Sequence, residues 1–196
     1  MSSEIKSTTL QTNSLKDKTG TRTLASDSGS AWSWGSGVPS HTIIQVKSTT
    51  KTNTWSDTPG AGAFSDITGL SVSITPASSS NKILVTFSTT VSASSLSTTG
   101  VRLVRDSTAI SIGGADGTRP RVTSGGVGNV DTTWQAFVIS SSFLDSPSTT
   151  SSVTYKLQLT GNGSSTQYVN QTARDVNSTE ADYRSTSHIT VMEIVG

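Results

Sequence analysis

The sequence predicts an all-β protein, an antiparallel β-sandwich or jelly roll of about eight to ten strands behind an extended N-terminal arm. Three observations lead there. Ser and Thr fill roughly 70 of the 196 positions, and neither favours a helix interior, whereas Thr is a good strand former. From Thr42 onward apolar and polar residues alternate in short runs. Gly, Pro and Ser clusters break those runs, and no window carries the 3.6-residue period of a helix.

The strands follow in order. Ile43, Ile44 and Val46 open the first. Leu70, Val72 and Ile74 alternate with Ser71 and Ser73 until Pro76 and a Ser run end the second. Ile83, Val85 and Phe87 share one face of a third that extends toward Val91. Val101 and Leu103 mark a fourth, closed by Arg105 and Asp106. Trp134, Ala136 and Val138 share a face opposite Phe137 and Ile139. Tyr155, Leu157 and Leu159 alternate with Lys156, Gln158 and Thr160. Asn162-Gly163 then reads as a hairpin turn into residues 167–170. The last strand sets Ile189, Val191 and Val195 on one face, with Met192 and Ile194 on the other.

Ahead of these strands the composition changes. Residues 1–40 hold few large apolar side chains, among them Ile5, Leu10, Leu15, Trp32 and Trp34. The early ones recur every five residues, a spacing that matches neither a helix nor a strand. So short an apolar set cannot offset the entropy of ordering a lone unit. The expected organisation is an attachment arm with a Gly/Ser linker over 1–40 and a sandwich head over 41–196. Residues 26–39 carry the linker composition, yet include both Trp residues. Indoles there either cap the following domain or anchor a protein–protein interface.

Charge narrows the function classes. Charged residues make up 14% of the chain and the formal net charge is +1. Nucleic-acid binders cluster Lys and Arg, whereas here they are dispersed, so no nucleic-acid partner is expected. Cysteine is absent, which removes disulfides and thiolate metal sites. Apolar runs fall far short of the roughly 18 residues of a membrane span, so no membrane insertion is expected. The start of the chain shows no apolar signal region. The protein is therefore expected to be made in a cytoplasm and to reach the outside, if it does, by lysis.

No motif of catalysis stands out. The phosphate-binding Gly-Lys loop, the dinucleotide Gly pattern and the nucleophile elbow are missing from the sequence. The two His residues, His41 and His188, lie far apart in sequence, and most Asp residues fall in expected turns. No cofactor, metal or catalytic residue is expected. One segment reads as a binding surface: residues 111–130, SIGGADGTRPRVTSGGVGNV, a long Gly-rich loop carrying Arg119 and Arg121. Alternatively those arginines pair with neighbouring Asp residues.

Four segments carry a family resemblance: residues 43–85 with SVSITPASSSNKILV, residues 101–110 with VRLVRDSTAI, residues 142–158 with SFLDSPSTTSSVTYKLQ, and residues 185–194 with STSHITVMEI. In that order they resemble the C-terminal β-sandwich domain of fibre and virion structural proteins of tailed phages, particularly marine and cyanophage types. The arm's SEIKSTTLQT and the stretch LASDSGSAWSWGSGVP are similar to the attachment segment and head junction of such proteins. The resemblance implies a virion location and a homotrimer, with the arm gripping other virion proteins and the sandwich facing outward. Ile5, Leu10, Leu15, Trp32 and Trp34 are then the attachment or assembly anchors. A long shaft is missing, which implies a short fibre or spike whose head contacts the host surface. Arg119 and Arg121 are the expected contact, since Arg binds the carboxylates of anionic host glycans in a fork. A capsid decoration or head-fibre protein is the alternative reading. A polysaccharide-degrading spike, needing paired carboxylates across a cleft, is a further one. A sugar-binding sandwich without a virion role would leave the arm unexplained.

Overall fold

The computed structural model describes residues 14–16, 23–27, 32–34, 39–94, 97–127, 133–177, 179 and 182–196. The chain divides into two compact units, with the division after Thr42. The first unit contains β1 (Ser14–Lys16), β2 (Thr23–Asp27) and β3 (Trp32–Trp34), an antiparallel sheet in the order β1-β2-β3. Leu15 pairs with Ala25, Trp34 with Ala25 and Trp32 with Asp27. The stretch with linker composition thus holds a strand at Trp-Ser-Trp, whose period of two suits a pleated ribbon. Ile5 and Leu10 lie outside the described residues.

The second unit is a two-sheet sandwich, and no helix occurs among the described residues. One sheet holds β4 (Ile43–Lys51), β5 (Trp55–Asp57), β7 (Lys82–Ala93), β11 (Phe137–Asp145), β13 (Gln167–Val169) and β14 (Ser187–Ile194). The other holds β6 (Ser65–Ile74), β8 (Thr99–Arg105), β9 (Thr108–Ile110), β10 (Ser124–Val127) and β12 (Val153–Thr160). Several of these run in line. β14 and β13 occupy successive stretches of one edge of β7, and β4 and β5 continue them outward. β9 and β10 likewise share one edge of β8.

Counted by lane, the unit has eight strands: β4/β5, β6, β7, β8, β9/β10, β11, β12 and β13/β14. The first sheet then runs in the order first, eighth, third, sixth, and the second runs second, seventh, fourth, fifth. That connectivity is a jelly roll, two Greek keys wrapped on each other. All pairings are antiparallel.

The alternation read from the sequence explains the core. Ile83, Val85, Phe87, Val91, Ile189 and Val191 face inward from the first sheet. Leu70, Val72, Ile74, Leu103, Tyr155, Leu157 and Leu159 meet them from the second. Each strand contributes every other residue, as the pleat requires.

Ile43 and Val46, which open β4 as expected, are half exposed, at 50% and 55%, and lie on the outer face of the first sheet. Two expectations are corrected. Asn162-Gly163 does not close a hairpin: β12 pairs with β6 and β8, whereas β13 pairs with β5 and β7, so the turn crosses between sheets. The Asn162 Oδ1 accepts from the backbone N–H groups of Ser164 and Ser165 at 3.1 and 3.0 Å, which widens the turn into a crossover. Gly163 has φ +88°, and a Cβ there would meet the Ala61 backbone nitrogen at 2.5 Å. Last, residues 124–127 form β10, so the expected 111–130 loop is confined to residues 111–123 ahead of that strand.

Candidate functional site

The outer faces of the two sheets differ in chemistry. On the first sheet the register aligns four lanes into rows. Ser140, Ser88, His188 and Thr50 stand side by side, and Ser142, Thr86, Thr190 and Ser48 form the next row. Ser48 and Thr190 share a 2.9 Å hydroxyl hydrogen bond across it. The following row is apolar: Leu144, Leu84, Met192 and Val46. Leu144 is 46% exposed, and Val138, one lane-edge position beyond the hydroxyl rows, is 65% exposed. No Asp, Glu or Arg enters these rows, and Lys82 stands at their margin beside Ile194. Thr and Ser at such positions satisfy the pleat without adding charge.

The second sheet's outer face is charged and laced together. Lys156 Nζ donates to Asp66 Oδ2 at 2.7 Å, and Gln158 Nε2 donates to Asp66 Oδ1 at 2.6 Å. Arg102 Nε donates to Gln158 Oε1 at 2.7 Å, and its guanidinium stacks 3.6 Å from the Phe64 ring centre. The Lys156 hydrogen bond is the main reason the Asp66 carboxyl is held below its usual range.

Beyond the rows, the described residues between β13 and β14 leave the first sheet as an excursion. Arg174 donates from Nε to Asp182 Oδ2 at 2.8 Å, and Thr172 Oγ1 donates to Asp182 Oδ1 at 2.5 Å. The Arg174 guanidinium also lies 4.4 Å from the Trp134 ring centre, and its backbone N–H donates to the Thr133 carbonyl at 2.9 Å. Trp134, which the alternation placed on a strand face, instead stands just before β11 as the platform for this arginine.

The two arginines singled out from the sequence sit on the 111–123 loop. The Arg119 guanidinium pairs with Asp116, both largely exposed. Arg121 Nε donates to the Gly113 carbonyl at 2.5 Å. The loop is closed at its base by Gly113 N–H donating to Val122 O at 3.2 Å. Thr123 Oγ1 there accepts from Leu103 N–H at 2.8 Å. Leu15, Trp32 and Trp34 lie on β1 and β3 of the first unit.

The sequence reading missed Trp55, Phe64, Arg102 and the Arg174–Asp182 pair. The period of two that sets Trp55 and Asp57 on one face about Ser56 was the available signal for the first. Arg102 meets Phe64 and Gln158 across distant segments of the chain, and the Arg174–Asp182 pair forms within an irregular segment that carries no periodic signal.

No protein-family model matches this chain, and no curated protein matches it at a significant level. Among solved structures it is similar to one titled "Structure of infectious bursal disease virus Gx strain", at 12% identity and a TM-score of 0.39. The match covers 78% of this chain and 43% of that one.

Proposed function

We propose that this protein is a non-enzymatic structural component of a virion, a short trimeric spike or fibre head whose jelly rolls pack against their copies. The observation that carries the reading is the neutral outer face of the first sheet. Its hydroxyl rows flank an apolar row, and copies meeting there about a closed axis bring no like charges together. The charged lattice of the second sheet suits the solvent side of such an assembly. The trimer, the attachment role of the first unit and the host-facing head come from the resemblance of residues 43–194 to phage virion proteins. Jelly rolls serve viral capsids and lectins alike, so the fold is compatible with the reading without selecting it.

Mass measurement in solution at micromolar concentration is expected to give about three chains. Thr190→Glu, which sets a carboxylate in the middle of the neutral face, is expected to release folded monomers. A wild-type chain that stays monomeric throughout that range overturns the reading.

A further inference from the structure

At the edge of the sandwich where β5 and β6 diverge, a cleft is lined by Trp55, Asp57, Phe64, Asp66, Thr68 and Gln158. Its walls are set before any ligand arrives. Trp55 is half-buried, its ring packed against the core, and β13 fixes β5 by pairing Val169 with Trp55 and Gln167 with Asp57. Phe64 is backed by the Arg102 guanidinium. Asp66 and Gln158 are locked to each other and to Lys156 and Arg102. Two groups remain unspent. The Trp55 indole N–H has no acceptor among the described residues. One oxygen of Asp57 accepts from the Thr58 N–H at 2.8 Å, and the other meets no donor among them.

We infer that this cleft is a binding site for a neutral saccharide. A pyranose has one apolar face of C–H groups and a rim of hydroxyl donors and acceptors. Aromatic rings beside a free carboxylate oxygen and a free N–H match both, apolar surface against apolar surface and hydroxyl against charge-assisted acceptor. A charged amine would find Asp57 and an aromatic face, but it carries donors only and would leave the Trp55 N–H without an acceptor. An anionic sugar would meet Asp57 and Asp66 in like charge. The cleft is shallow and mostly polar, so binding is expected in the millimolar range, near about 1 mM. The inference is independent of the virion reading, because a monomer presents the same cleft.

Saturation-transfer NMR with lactose, maltose and mannobiose on the full chain tests it. Transfer to the ring protons of at least one disaccharide is expected, with loss of the signal in Trp55→Ala. Asp57→Ala removes an exposed side chain and leaves the fold intact. It is expected to weaken binding about tenfold, as for the loss of one charge-assisted hydrogen bond. No transfer from any of the three sugars overturns the inference, as does transfer unchanged in both variants. Binding only of sialyllactose, abolished by replacing Arg119 and Arg121 with Ala, also overturns it and assigns recognition to the 111–123 loop.

Discussion

The Tyr155 hydroxyl in β12 donates a 2.7 Å hydrogen bond to Asp145 Oδ2 in β11, and so ties one sheet of the jelly roll to the other through the core. Arg105 in β8 meets both oxygens of the same carboxylate, at 2.9 and 2.8 Å. Tyr155 is fully buried and Asp145 nearly so. Burial first, and the Asp145 hydrogen bond second, hold the Tyr155 phenol protonated far above its usual range. Three strands from two sheets are thereby fixed at one point, with an orientation that hydrophobic contact alone would leave free to slide.

Removing the acceptor is expected to cost more than removing the donor. Asp145→Ala leaves a buried phenol without a partner and Arg105 without its carboxylate, a loss of about 3 kcal/mol. Tyr155→Phe removes one hydrogen bond and keeps the ring, a loss of about 1 kcal/mol. Urea unfolding of both variants measures the difference. Equal losses would mean that the network does not lock the sheets.

A second expectation concerns acid. The Arg174 hydrogen bond, then that of Thr172, hold the Asp182 carboxyl below its usual range. A depressed folded-state value stabilises the excursion fully above the unfolded carboxylate pKa, about 3.9. That stabilisation is lost as pH falls through the lower folded value. Amide exchange across residues 171–177 and 182–185 is therefore expected to be insensitive to protonation of this carboxyl above about pH 5, and to open in stronger acid. Arg174→Ala should expose the same amides at neutral pH. Opening between pH 7 and pH 5 in the wild type would assign the switch to another group.

Much of this architecture was legible in the sequence because the sandwich core follows a period of two. Leu70, Val72 and Ile74, then Ile83, Val85 and Phe87, then Tyr155, Leu157 and Leu159 all face inward as the alternation requires. The same rule assigns no face to Ile43 and Val46, because exposed and core apolar residues look identical in sequence. It also left Glu193 invisible as a core residue. Its Oε1 accepts from Ala77 N–H and Asn81 Nδ2, both at 2.6 Å, and those partners come from a loop more than a hundred residues away. The cleft and the neutral face were illegible for a related reason. The neutral face is assembled by register between distant strands, and the cleft sets Gln158 beside residues 55–68; local pattern holds no information about which strands become neighbours.

The arginine loop yields a third prediction. Arg119 pairs with Asp116, and Arg121 with the Gly113 carbonyl, so both arginines close on their own loop. Replacing both with Ala is expected to shift the unfolding midpoint little, within about 0.5 kcal/mol, because both are exposed. Oligomeric mass should not change. If the loop contacts a host surface, adsorption of particles carrying the double variant falls. Unchanged adsorption would confine these residues to holding the loop, and dissociation of the oligomer would make them interface residues.

The last prediction separates the two units. The whole clustered core, from Ile67 through Val191, belongs to the second unit. Deleting residues 1–40 therefore leaves this cluster whole, and the truncated chain is expected to unfold cooperatively, with a denaturant slope proportional to the surface of the remaining sandwich. The first unit should matter for attachment instead. Complementation of particles with the truncated chain is expected to give folded, unincorporated protein, whereas full-length chain is incorporated. Replacing Trp32 and Trp34 together with Ser should reproduce the incorporation defect if those residues anchor the attachment, since aromatic side chains dominate interface energetics. If the truncated protein assembles at normal copy number, attachment resides in the jelly roll, and the neutral face of the first sheet becomes the surface to mutate next.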